Sequence, residues 1–290
     1  MSMTNKLVLG TVQFGLDYGI NNHTGKLLEE EVFVLLDNAW ENGIRYLDSA
    51  DSYGNAGEII GKYHRNRNNR FNVLTKFKMD SFQQSIFEKV NNSLKILGIE
   101  KLYCYSYHSF NDYINYPEII YELVSLKRNG IIKKIGISIY SNEEFSRVID
   151  SNEIDVIQIP YNVLDNDNLR GQLIRDAKKR GKEIHSRSVF LQGLFFINHD
   201  HLPEKLRPLN KYLKLLNEFA IAEGLSISAI ALNFVIHNPL IDSILVGVDN
   251  VAQLLQNISI IDAKYYESIN RFASAISVSE INLLNPVNWK

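Results

Sequence analysis

The feature that most constrains this chain is an alternation. Short apolar runs, each followed by a polar loop and a stretch of helical periodicity, recur from end to end. The runs occupy residues 6–10, 45–48, 72–77, 101–108, 133–138, 155–160, 182–186 and 242–247 and are rich in Ile, Val, Leu and Tyr. Strands buried on both faces of a parallel sheet need that composition. Helical spacing of apolar residues follows over 28–42, 55–63, 82–97, 117–129, 142–150, 168–180, 209–231 with a break, and 250–258. Gly43, Gly98, Gly130 and Gly181 stand just past four of these segments, where a left-handed residue ends a helix. Eight strands alternating with eight helices imply a parallel sheet. No G-x-G-x-x-G follows any strand, so a closed (β/α)8 TIM barrel is expected in preference to an open doubly wound sheet, as one domain over residues 1–290.

Composition narrows the function. With 31 Lys and Arg against 33 Asp and Glu, the net charge of −2 leaves no broad basic field for nucleic acid. Cys104 is the single cysteine, which excludes an internal disulfide and a cysteine-based zinc site. The most apolar late stretch, 227–241, is interrupted by Asn233, His237, Asn238 and Pro239. No membrane span and no signal peptide is expected, and the reading is a cytoplasmic protein without a membrane partner. The basic run over 62–70 reads as a solvated helix-to-strand turn, and His23 and His64 as surface residues. Walker A, H-E-x-x-H and G-x-S-x-G patterns are absent, and no metal site is expected.

In a (β/α)8 barrel the chemistry gathers at the C-terminal strand ends. Those ends carry Asp48, Lys76 and His108 on three successive strands, with Tyr53 five residues into the loop after Asp48. Strand parity turns Leu74 and Lys76 inward together, and likewise Cys104, Ser106 and His108, leaving Tyr103, Tyr105 and Tyr107 against the helices. Singly, a buried Asp–Lys pair is often only a paired charge and a lone His an ordinary core residue. Together on one rim, the four favour a reactive site.

These residues carry a resemblance to the aldo-keto reductase superfamily. LDSADSYGNAGEIIG over 47–61 resembles its Asp-x4-Tyr-Gly signature, LTKF over 74–77 its lysine strand and YSYH over 105–108 its histidine strand. Similarity continues through LGTVQFG at 9–15, QIPYN at 158–162 and LVGVDNVAQLLQN at 245–257. The resemblance implies a barrel that reduces carbonyls with a nicotinamide cofactor and candidate catalytic residues Tyr53, Asp48, Lys76 and His108. Chemistry supports those roles. Hydride reaching a carbonyl carbon drives charge onto oxygen, so donors must face that oxygen. A free tyrosine, with a pKa of about 10, surrenders its proton poorly at neutral pH. Lys76 is expected to lower that pKa, Asp48 to hold Lys76, and His108 to orient the carbonyl.

The resemblance also implies cofactor contacts from Gly10, Thr11, Ser138, Gln158, Arg187, Ser188, Leu191, Gly193, Gly247, Val248, Gln253 and Asn257. Ile139 stands where an Asn usually follows the serine, and Arg187 where many members stack an aromatic on the nicotinamide. Gln253 replaces a basic residue that many members aim at the 2′-phosphate, so NADP(H) is expected with NAD(H) also usable. The substrate is expected to be a small-molecule carbonyl compound. Its walls would come from 109–116, 194–208 and 277–290, with Phe110, Tyr113, Phe195, Phe196 and Trp289 as candidates, and the long first loop, 14–26, as a cover. A resemblance to members found with surface-sugar biosynthesis enzymes points toward a keto-sugar. The alternative is a cofactor-binding regulatory barrel with little turnover, resembling potassium-channel β subunits. A third reading, an unrelated barrel lyase, is excluded if a nicotinamide cofactor binds.

Overall fold

The computed structural model describes residues 3–22, 24–79 and 85–289. Eight strands, β1 (Leu7–Gly10), β2 (Tyr46–Asp48), β3 (Asn72–Phe77), β4 (Leu102–Tyr107), β5 (Ile132–Ser138), β6 (Val156–Pro160), β7 (Glu183–Arg187) and β8 (Ser243–Val246), close into one barrel in sequence order. All neighbours run parallel, and β8 returns to β1 with Val8 opposite Leu245. The (β/α)8 TIM-barrel expectation holds.

The helices α1 (Glu29–Glu41), α2 (Ala56–Asn66), α3 (Ile86–Leu97), α4 (Ile119–Arg128), α5 (Asn142–Val148) and α6 (Asp167–Lys179) each follow a strand. Local chemistry sets their limits. Ser85 accepts from the Glu88 amide while Glu88 accepts from the Ser85 amide, a reciprocal cap at the start of α3. Gly43, Gly98, Gly130 and Gly181 all adopt positive φ beyond their helices. The beginning of the helix expected over 82–97 lies outside the described residues, as does His23.

The segment expected to be broken over 209–231 is a pair of helices, α7 (Asn210–Glu223) and α8 (Ile227–Ile236), bent by 95°. Gly224, with φ 65°, ends α7, and Ser226 caps α8. The polar interruptions do not stop α8 before residue 236. Buried Asn233 bonds the Ala229 and Ile260 carbonyls and accepts from the Asp262 amide, so its amide group is fully used. After β8 come α9 (Val251–Ser259) and α10 (Tyr266–Ser274), the second of which periodicity does not announce. Among the described residues no single helix is long and apolar enough to cross a membrane.

Two apolar bodies result. The larger lies between strands and helices and includes Leu47, Phe77, Tyr105, Tyr107 and Ile137. The smaller fills the barrel with Val8, Leu74, Cys104, Val156 and Leu245. A Cβ on Gly136 would come within 2.3 Å of Ser106 Oγ, so only glycine lets β5 close beside β4 there. Tyr103 departs from its expected place against the helices. It packs on the interior cluster with Tyr46, ring centroids 4.8 Å apart, at the end of the barrel where Lys134 donates to its hydroxyl. The basic run over 62–70 is also not simply a loop, because α2 continues to Asn66. Within it Tyr63 and His64 are fully buried. His64 is thus a core residue: Nδ1 donates to the Leu97 carbonyl at 2.8 Å and Nε2 accepts from the Phe71 amide.

Candidate active site

The C-terminal rim brings Asp48, Lys76, Tyr53 and His108 to one cavity of about 390 Å³. Asp48 ends β2 and Lys76 is the penultimate residue of β3, with Lys76 Nζ 2.5 Å from Asp48 Oδ2 and both side chains almost wholly buried. The same ammonium donates to the Ser49 carbonyl at 3.0 Å, and Gln158 Nε2 donates to Asp48 Oδ1 at 3.1 Å. Thr11 donates to the Asp48 carbonyl through both its amide and its hydroxyl. His108 follows β4, and its amide donates to the Phe77 carbonyl, extending the strand pairing to this imidazole.

Tyr53 is on a loop, yet its backbone is tightly confined. A Cβ on Gly15 would lie 1.9 Å from the Tyr53 carbonyl oxygen, and one on Gly54, at φ 54°, would lie 2.5 Å from the Gly15 carbonyl oxygen. Two glycines meeting back to back therefore seat the phenol. The Lys76 ammonium is 5.3 Å from its ring centroid, and the His108 ring stands edge-on to it at 6.2 Å.

Burial raises the Tyr53 pKa above its ordinary value, and the Lys76 charge pulls in the opposite direction without overcoming it. The expected net lowering is thus not found in this state, although Lys76 acts with the expected sign. For Lys76 itself, burial works against the charge, but Asp48 and Tyr53 outweigh it and hold the ammonium above its usual value. Burial, helped by Lys76, Lys78 and Arg187, pushes His108 down to about 3. The imidazole is neutral at physiological pH. With Ser52 Oγ 3.3 Å from Nδ1, a hydroxyl donating to Nδ1 leaves Nε2–H as the ring's donor.

Of the expected cofactor contacts, Gly10, Thr11, Ser138, Gln158, Arg187, Ser188, Gly193, Gly247, Gln253 and Asn257 line this cavity. Leu191 and Val248 do not. Both are buried in the apolar core, as their side chains dictate. Gln158 Oε1 and Gln13 Oε1 are buried without partners beside the cavity, and acceptors in that state need an N–H donor. An amide group would satisfy Gln158, so the residues present fit a nicotinamide carboxamide. At the far end Asn250 caps α9, and Asp249 and Gln253 bond each other through amide and side chain.

The candidate substrate walls are only partly right. Phe196 lines the cavity, with Phe190 5.4 Å from it. Phe110 and Tyr113 instead pack on each other, Tyr113 edge-on to Tyr107, with the Arg147 guanidinium over the Phe110 ring. Phe195 is core, and Trp289 packs against the core while donating to the Leu283 carbonyl, leaving Pro286 as the tail's contribution.

The first loop, expected as a cover, supplies Tyr18 to the lining, whereas sequence reasoning misses Gln13, Tyr140, Phe190 and Gln192. The length of the first loop is the available signal. Its Tyr18 hydroxyl accepts from Gln192 Nε2 at 2.7 Å, and the Ile20 amide donates to the Gln192 carbonyl, so the loop straps onto 188–193. That second segment holds Ser188, Leu191 and Gln192 at positive φ, strain that the surrounding bonds, including Asn162 to the Ser188 carbonyl, keep in place.

The sequence model of the Aldo/keto reductase family matches residues 6–274. L-galactose dehydrogenase of Arabidopsis thaliana is 24% identical over 286 residues, covering 91% of this chain and 87% of that protein. L-glyceraldehyde 3-phosphate reductase of Escherichia coli O157:H7 is 22% identical over 293 residues, covering 86% and 85%. The holo form of an aldo-keto reductase from Bacillus halodurans superposes with a TM-score of 0.73 at 22% identity, over 95% of this chain and 94% of that one.

Proposed function

The chain belongs to the aldo/keto reductase family, and from that premise we propose that it reduces a small aldehyde or ketone to the alcohol at the expense of NADPH or NADH, with residues 1–290 acting as one domain. The observation that carries this reading is the buried Asp48–Lys76 pair set beneath Tyr53 and His108 on the wall of one cavity.

When bound, the nicotinamide supplies the hydride. Gln158 and Ser138 would hold its carboxamide, and Gly247, Gln253 and Asn257, with the start of α9, would hold the phosphate and adenine end. The chain's own part in the reaction is proton delivery and alignment. Tyr53 gives its phenolic proton to the carbonyl oxygen as charge accumulates there, so the oxygen becomes the alcohol hydroxyl. Lys76 stabilises the phenolate left behind, and Asp48 keeps Lys76 charged and aimed. Neutral His108 donates from Nε2 to the same oxygen and so orients the carbonyl. Tyr53 and His108 are the catalytic residues, and Lys76 and Asp48 position them.

Asn21 and Gln192 beside Phe190, Phe196, Tyr18 and Tyr140 suit a hydroxylated carbonyl compound with an apolar face, such as a keto-sugar. The names of the two curated relatives above are in keeping with that class. The test is loss of reduced-cofactor absorbance with a panel of aldehydes, ketones and keto-sugars. Turnover that vanishes in Tyr53→Phe supports the reductase. Tight cofactor binding with no turnover across the panel favours the regulatory barrel instead.

A further inference from the structure

Arg187 is a cation on the wall of this cavity that the reaction above leaves unused. It ends β7 opposite Pro160 of β6, one step from the strand that presents Gln158. Its Nη2 donates to the Ile139 carbonyl at 2.9 Å, and Nη1 lies 3.4 Å from its neighbour Ser188 Oγ. Tyr140 covers the guanidinium, with the cationic carbon 3.9 Å from the ring centroid. Nε is buried without any partner, and among the described residues no carboxylate lies within ion-pair distance of it. Stacking on Tyr140 and the bond to the Ile139 carbonyl hold this planar cation in place.

The charges around it make this arrangement consequential. Lys76 is balanced by Asp48, and His108 carries no charge at neutral pH. Asp249, the other carboxylate on the cavity wall, is bonded to Gln253 at the start of α9. Arg187 thus adds to the reactive end of the cavity a positive charge that no ion pair of its own offsets, since Asp165, whose carboxyl feels it, is already paired with Arg170. That charge reaches the reacting groups, since it opposes protonation of His108 and favours ionisation of Tyr53.

We infer that Arg187 sets which redox state of the cofactor the site prefers, by repelling the positively charged oxidised nicotinamide while leaving the neutral reduced ring unpenalised. This rests on the cofactor reading proposed above. Like charges in a partly desolvated site are typically worth a factor of ten or more in affinity. For this two-electron couple a tenfold preference for the reduced form corresponds to about 30 mV of more positive bound potential. The consequence has two parts. Oxidised cofactor leaves readily after each reduction, and a bound oxidised cofactor is the stronger hydride acceptor should an alcohol be offered.

Equilibrium binding separates this from activity. Dissociation constants for NADP⁺, NADPH, NAD⁺ and NADH are measured by fluorescence titration and calorimetry on wild type, Arg187→Gln and Arg187→Lys. The oxidised-to-reduced Kd ratio is expected to fall about tenfold in the Gln variant and to stay within about threefold of wild type in the Lys variant, which keeps the charge. Should the Gln variant not fold, Arg187→Tyr removes the charge while keeping a planar group, and the same fall is expected. A ratio unchanged by loss of the charge overturns the inference. So does an unchanged ratio accompanied by a raised KM for a carboxylate-bearing carbonyl compound and not for its neutral analogue, which would make Arg187 a substrate anchor. If wild type binds none of the four cofactors, the proposed function itself fails, a result distinguishable from equal binding of both redox states.

Discussion

The two mouths of this barrel carry the same four kinds of chemical group. At the C-terminal mouth stand Asp48, Lys76, Tyr53 and His108. At the opposite mouth stand Glu183, Lys134, Tyr103 and His185, with Lys134 paired to Glu183 and donating to Tyr103, and His185 Nε2 3.6 Å from Glu183. Only the first set lines the cavity. In the second, the Tyr103 hydroxyl accepts from Lys134 and its ring packs on Tyr46, away from that cavity. An acid, a lysine, a phenol and an imidazole are therefore not a site by composition. What distinguishes the upper set is that the Tyr53 and His108 donors stand beside space that a carbonyl can enter.

Replacing each phenol breaks the comparison most sharply. Tyr53→Phe should lower kcat by about 10²- to 10⁴-fold, the usual worth of a positioned proton donor, with cofactor Kd changed no more than a few-fold. Tyr103→Phe should leave kcat within about twofold. Parallel steady-state and binding measurements check both, and near-wild-type kcat in Tyr53→Phe would remove the assignment.

The lysines come next. Lys76→Met leaves Asp48 buried with Gln158 as its side-chain partner and should cost about 3–5 kcal/mol, the range for breaking a buried pair. Lys134→Met should cost clearly less, because a third of the Glu183 side chain remains in water. Denaturant titration at pH 7 gives both values. The Lys76→Met deficit should shrink in acid, where a protonated carboxyl has no charge to bury. On the alkaline side the sign reverses: the folded Lys76 pKa is raised, so its contribution is whole below the unfolded value of about 10.4 and is lost as pH rises through the folded value. Equal deficits at the two mouths would mean that burial does not separate them.

How much of this is legible in the sequence follows from the range of the forces involved. The strands and the four rim residues are fixed by short periodicities and by position at strand ends, both of which one segment encodes by itself. Tyr103 escapes strand parity because its direction is decided by Lys134 and Tyr46, contributed by two other strands. His64 escapes because a histidine in a basic run looks solvated until α3 supplies the Leu97 carbonyl that its Nδ1 meets. Phe110, Tyr113 and Trp289 fail as cavity walls for a related reason: an aromatic in a loop turns to whichever surface buries it best, and here that is the core. Gly15 and Gly54 show the converse, since their role depends on two distant stretches of backbone meeting at Tyr53.

The imidazoles give a smaller, pH-dependent contrast. His108, held at about 3, stays neutral in the folded protein while the unfolded chain takes up its proton near pH 6.5. A depressed folded pKa means that stability is whole above pH 6.5 and declines as pH falls toward 3. At pH 5 the expected loss from this group is about 2 kcal/mol, from 1.36 kcal/mol per pH unit. His108→Gln should flatten that acid limb while lowering turnover. Denaturant titrations at pH 5 and pH 7 measure the difference, and an unchanged slope would place His108 in water.

The smallest effect lies where the upper cavity extends beyond the tetrad, a groove with no counterpart among the groups at the lower mouth. NADPH differs from NADH by one dianionic phosphate, and a charge-assisted hydrogen bond to it is typically worth about 1.5–3 kcal/mol, roughly 10- to 150-fold. Lys76 and Arg187 are the cations on the cavity wall, and neither belongs to the end formed by Asp249, Gln253, Gln256 and Asn257. Gln253, the residue expected to stand in for a base, spends its oxygen on the Asp249 amide and its nitrogen on the Asp249 carboxylate. The start of α9 offers amides to the phosphate, although Asn250 already satisfies that of Gln253. The expected preference for NADPH in kcat/KM is therefore about tenfold or less, with NADH a competent donor. Gln253→Arg should raise it by about tenfold, mainly through KM for NADPH, and should leave the tetrad's kcat alone. Measured on one carbonyl substrate at one ionic strength, a wild-type preference above a hundredfold would require a cation to reach this end from elsewhere.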